Sequence, residues 1–169
     1  MQMRLLTRLP GMTLAVMLML VVAQGLVLGH DDRKEAKHTN KELRFKGSIQ
    51  ALERSEINDL ILSVRALGSG KATHLGRFIV RYDAEVDLQT AKGIGSAHFV
   101  VAHGDSLFAE GEGQATPTET PGVITVVEQY QITGGTGRFV GASGTINLDR
   151  ILDNAGNTSG TISGNIVIP

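Results

Sequence analysis

The sequence predicts an all-β protein, an eight-stranded antiparallel β-barrel. Three observations predict it. Apolar residues alternate with period two in eight separate segments from residue 43 onward. Turn-forming clusters divide the chain: LGSG (67–70), AHGD (102–105), TPTETPG (116–122), TGGTG (133–137) and DNAGN (153–157). The chain holds 21 glycines, and Gly141, Gly144, Gly160 and Gly164 fall inside predicted strands, where glycine marks bulges, sharp coiling or close approach. An even number of short strands favours closure, because closure removes the edges that invite aggregation.

The first strand is predicted over 43–51, with Leu43, Phe45, Gly47, Ile49 and Ala51 alternating with Arg44, Lys46, Ser48 and Gln50. A second is expected near 57–66 from Leu60, Leu62 and Val64, although 55–67 also fits a short helix. The third (73–83) aligns Phe78, Val80 and Tyr82, and the fourth (93–103) aligns Ala97, Phe99 and Val101. The fifth (105–115) turns Leu107 and Ala109 inward. The sixth, VITVVEQYQIT at 123–133, is the richest in β-branched residues. Strands over 138–150 and 158–168 complete the set.

Ahead of the barrel domain (42–169), residues 1–29 read as an export signal. Arg4 and Arg8 form a positive n-region, MTLAVMLMLVVA (12–23) is the apolar run, and cleavage is expected after Ala23 or Gly25, within 23–29. Extended by LVLG, the run approaches the roughly 20 residues of an uncleaved membrane anchor. HDDRKEAKHTNK (30–41) is polar and aperiodic, a charged linker. The expected location is secreted or periplasmic. With no cysteine, the domain is held by its core alone, which about 130–140 residues can build without staples. A net charge of −1 and an aromatic content of 4% argue against a nucleic-acid partner, whose phosphates demand basic surface. No cofactor is implied. No metal site is expected: His98 and His103, five residues apart on one strand, face opposite sides, and His74 lacks convergent partners.

Ile132 to Leu148 reads ITGGTGRFVGASGTINL. A dinucleotide fingerprint needs G-x-G-x-x-G opening a helix. Here the spacing is one residue too long, and the following ASGTINLDR alternates as a strand does. Gly134, Gly135, Gly137, Phe139 and Gly141 therefore read as a structural turn between two strands. This segment resembles the GGTG-x-F-x-x-A-x-G hallmark of plant dirigent proteins and is equally similar to the TGG-x-G-x-F-x-G-A-x-G segment of allene oxide cyclases. A softer likeness covers ATHLGRFIVRYD (72–83). The resemblance implies an eight-stranded barrel, commonly a homotrimer, and, for any enzyme, isomerase (cyclase)-like chemistry. The cyclases use a glutamate and a water held by a proline and asparagines. HLGRFIVRYD carries neither proline nor asparagine.

Continuing the apolar face of two strands inward lines up His74, Gly76, Phe78, Val80 and Tyr82 with Ile124, Val126, Glu128, Tyr130 and Ile132. Four polar tips, His74, Tyr82, Glu128 and Tyr130, are thus the candidate ligand-binding residues of an apolar lumen. Glu128 and His74 are the candidate acid–base pair, Glu128 being desolvated or paired with His74 or Arg77. Strand ends also lie at barrel mouths, where such tips are merely solvated. The expected function is binding of a small apolar or amphipathic ligand, or a structural role. The alternative is a cyclase- or dirigent-like catalyst on a reactive lipid or phenolic intermediate.

Overall fold

The computed structural model describes residues 40–169. The predicted signal and all but the end of the predicted linker lie outside the described residues. Eight strands follow in order: β1 (Lys41–Asn58), β2 (Ile61–Ala72), β3 (Gly76–Asp87), β4 (Lys92–Val101), β5 (Ser106–Pro117), β6 (Ile124–Gly135), β7 (Ser143–Leu152) and β8 (Asn157–Ile168). Each pairs antiparallel with the next, and β1 pairs with β8 from Lys41↔Ile168 to Leu52↔Asn157, which closes the barrel. The predicted architecture is the observed one.

Alternation fixes which side chains face inward, and closure fixes how much room they have. Phe45, Ile49, Phe78, Val80, Ala97, Phe99, Leu107, Ala109, Ile132, Ile146, Leu148, Ile162 and Ile166 form the buried core. Phe78 meets Phe99 edge to face, ring centroids 5.5 Å apart. The glycines within strands are the counterpart of this bulk. Gly70 stands in register with Phe78, and Gly164 with Phe45. A Cβ on Gly164 would meet the Phe45 ring at 3.0 Å, and one on Gly70 would run into the Phe78 ring. Glycine here makes space for a neighbouring ring.

Several boundaries move. The helical alternative at 55–67 does not form: β1 runs on to Asn58 and β2 begins at Ile61. LGSG (67–70) is not a turn but the middle of β2, its glycines lying under inward side chains from the adjacent strands. The chain reverses instead at Asp59, with φ 55°. The seventh strand begins at Ser143 rather than at Arg138. Residues 136–142 are occupied by a 3-10 turn, Gly137–Phe139, with Gly137 and Gly141 at φ 56° and 71°.

That turn is the structural element the glycine motif predicts, although longer than a tight hairpin. Its amides are consumed internally: Thr136 N–H donates to Ser106 O, Phe139 N–H to Thr136 O, and Ala142 N–H to Phe139 O. No cradle of free N–H groups is left for a phosphate. Its purpose is to deliver Phe139, 1 % exposed, into the end of the barrel beside Leu75 and Ala142. Gly135 is the residue beneath it, since a Cβ there would lie 2.6 Å from that of Phe139. Phe139→Ala is expected to lower unfolding free energy by about 3–5 kcal/mol, measured by chemical denaturation of the full chain.

Candidate functional site

The two ends of the barrel differ. Phe139, Leu75 and Phe45 close the end that holds the β2–β3, β4–β5 and β6–β7 connections. Towards the other end the inward positions shrink: Ala84 of β3 faces Gly95 of β4, which faces Gly111 of β5. The result is a cavity of about 300 Å³, walled by apolar side chains such as Leu62, Val64, Val86 and Val126 and by backbone at the glycines.

The floor of this cavity is polar. Arg150 projects inward from β7 between Val126 of β6 and Gly160 of β8. Its Nε donates to Glu128 Oε2 at 2.6 Å and its Nη2 to Glu128 Oε1 at 3.1 Å, a two-pronged ion pair. Its Nη1 donates to Glu53 Oε1 and, at 3.1 Å, to Thr158 Oγ1. The Tyr130 hydroxyl donates to Glu128 Oε1 at 3.1 Å, and the Tyr82 hydroxyl to Glu53 Oε1. Only Ala66 separates Glu53 from Tyr82 in the strand ladder, so nothing blocks that hydroxyl. The guanidinium also lies 5.1 Å from the centroid of the Tyr82 ring. Arg150, Glu53 and Glu128 side chains are only 6–7 % exposed. Charges so placed must be paired to be tolerated.

Three of the four predicted binding residues, Tyr82, Glu128 and Tyr130, meet in this cluster. His74 does not join them. It sits exposed in the β2–β3 turn at φ 63°, at the closed end of the barrel. The third strand begins only at Gly76, so its alternation does not reach back to His74. The partner expected for Glu128, His74 or Arg77, is instead Arg150. Arg77 is exposed on the outer face. Arg81 and Asp83 also face outward, as expected, 3.3 Å apart. Among the described residues no group of His, Asp and Glu is disposed to hold a metal ion.

Glu53, Arg150 and Thr158 were not among the predicted site residues, yet the signal was present. Glu53 continues the inward series Phe45, Gly47, Ile49, Ala51. Arg150 continues Gly144, Ile146, Leu148, and Thr158 precedes Gly160 and Ile162. Charged residues at strand ends read as solvated, and only closure of the barrel buries these.

Burial pushes the Tyr82 and Tyr130 phenols well above their ordinary range. Glu53 and Glu128 beside them push the same way, against the charge of Arg150. For Arg150, burial alone would favour the neutral form. The hydrogen bonds and charge of Glu128, aided by Tyr82 and Glu53, outweigh it and raise the guanidinium above its usual value.

No protein-family model matches the chain, and no curated protein matches it. Among solved structures it is similar to a pterocarpan synthase dirigent protein, with a TM-score of 0.52 and 10 % identity over 77 % of this chain and 86 % of that one. At that identity the likeness is one of fold. The chain forms a dirigent-like barrel.

Two outcomes follow from the cluster. Both tyrosines of the chain stay protonated in the folded state above pH ~10, where free phenols ionise. Their contribution to stability is complete below that pH and is lost above it, at about 1.4 kcal/mol per pH unit for each phenol, because the unfolded chain releases protons that the folded one retains. Phenolate absorbance should therefore stay flat through that range and rise only together with loss of the β-sheet circular dichroism signal. Arg150→Leu, which strands two inward carboxylates, should cost about 3–5 kcal/mol at neutral pH, read from denaturation midpoints.

Proposed function

We propose that the barrel binds a small amphipathic molecule in the cavity above the Arg150 cluster. The observation that carries this reading is the asymmetry of the lumen. One half is packed with Phe, Ile and Leu side chains, whereas the other is lined by Ala, Val and Gly around a cavity of about 300 Å³ with a polar floor. An apolar concavity with a few convergent polar groups is the usual form of a small-molecule site. A chain selected for stability alone would fill it. The export signal expected over 1–29 places this binding outside the cytoplasm, in a secreted or periplasmic protein.

Ala84→Phe puts a ring into the cavity without touching the charged cluster. Short-chain alcohols and simple phenols should raise the melting temperature of the unaltered protein and leave that of Ala84→Phe unchanged. Absence of any shift, or an equal shift in both proteins, would count against the cavity as the site.

A second reading is a dirigent-like catalyst acting on a reactive phenolic or lipid intermediate. It draws on the likeness to a pterocarpan synthase dirigent protein and on one carboxylate oxygen, Glu53 Oε2, that accepts no protein hydrogen bond. Both oxygens of Glu128 are held by Arg150, so Glu53 is the better acid–base candidate, and His74 lies at the far end. Under this reading Glu53→Gln removes turnover of such an intermediate while ligand-induced thermal shifts persist. Unchanged turnover would sink it.

A further inference from the structure

Charge in the cavity is unevenly matched. Glu53 and Glu128 face the single guanidinium of Arg150, so with both carboxylates ionised the cluster carries one excess negative charge. No lysine or histidine lines the cavity, and Asp153 stands at its rim. Asp153 is held ionised by the Asn157 side-chain amide and by backbone N–H groups of its own turn.

Hydrogen bonding is unevenly shared as well. Glu128 accepts on both oxygens. Glu53 accepts from Arg150 and Tyr82 on Oε1 alone. Its side chain is 6 % exposed, and among the described residues no fully buried side-chain nitrogen or oxygen lacks a partner. Glu53 Oε2, which accepts no bond, therefore opens onto the cavity that Glu53 lines. The donors point elsewhere. Both tyrosine hydroxyls, and four of the five N–H groups that a guanidinium carries, are spent inside the cluster. What the floor offers a ligand is an anionic acceptor. An excess carboxylate in apolar surroundings is unfavourable until a counter-charge arrives.

We infer that the cavity is a site for a small cationic amphiphile, a primary amine on a short apolar body, with its ammonium against Glu53 Oε2. The inference rests on the cavity being a binding site at all. Ser55, two residues along β1 and on the same inward face, supplies a second acceptor near the mouth. Val64, Ala84, Val86 and Val126 receive the apolar body. The cavity of about 300 Å³ is at the small end of ligand sites, so the body is short. The negative interior and rim attract cations and repel carboxylates before contact is made.

The test is calorimetric titration of the purified full protein at neutral pH with hexylamine, 1-hexanol and hexanoate, which share a tail and differ in head group. Hexylamine should bind about tenfold or more tighter than hexanol, as a charge-assisted hydrogen bond requires, and hexanoate should bind weakest. Glu53→Gln should bring the amine down to the level of the alcohol and leave the alcohol unchanged. Should that variant fail to fold, salt decides with the unaltered protein. Added NaCl should weaken hexylamine and not hexanol. Equal affinity for amine and alcohol, a preference for hexanoate, or amine binding indifferent to both Glu53→Gln and salt would overturn the inference while leaving the cavity a binding site. Binding of none of the three would remove the binding-site reading itself.

Discussion

Everything in this protein follows from the volume of a closed eight-stranded barrel. Once β1 pairs with β8 along twelve positions, the interior has a set cross-section, just wide enough to be filled by side chains. Each inward residue then competes with its neighbours on the two flanking strands. Phe78 fits because Gly70 is beside it, Phe45 because Gly164 is, and Tyr130 because Gly111 is. An added Cβ at Gly111 would lie 2.6 Å from the Tyr130 Cα. The glycines carry no chemistry. They distribute space.

The same accounting explains why one half is solid and the other hollow. Where the inward ladder reads Phe, Ile and Leu, the lumen is packed. Where it reads Ala84, Gly95 and Gly111 in succession across three strands, no side chain reaches the axis. Arg150 and its partners lie at the boundary. A buried guanidinium shared between two carboxylates and flanked by two phenols is poor material for stability, since apolar replacements of similar size do as well or better. Its presence under an apolar cavity therefore points to recognition rather than to folding.

Much of this architecture is legible along the chain. The alternation in 73–83 and 123–133 placed Tyr82, Glu128 and Tyr130 on inward faces, and the structure brings all three together. The same rule misplaced His74 because the strand starts two residues later, after a turn in which His74 itself takes a left-handed conformation. It passed over Glu53 because the first strand extends well beyond the apolar stretch that announces it. A glutamate following Ala51 and Leu52 reads as a solvated strand end, and Arg150 reads the same way before the DNAGN turn. The glycine motif announced a turn correctly but not its length, because the 3-10 turn at Gly137–Phe139 exists to insert Phe139, and its need for insertion is set by the hole it fills.

By itself, then, the sequence determined the local pattern: which segments are strands, which of their residues share a face, and that the many glycines have steric work to do. These depend on periodicity and on backbone freedom, properties of neighbours along the chain. Only the tertiary structure decided that Glu53, Glu128 and Arg150 are one cluster, that His74 is remote from it, and that one half of the lumen stays empty. Those facts depend on register around a closed ring, where residues 97 positions apart in sequence, Glu53 and Arg150, become neighbours because the last strand comes home to the first.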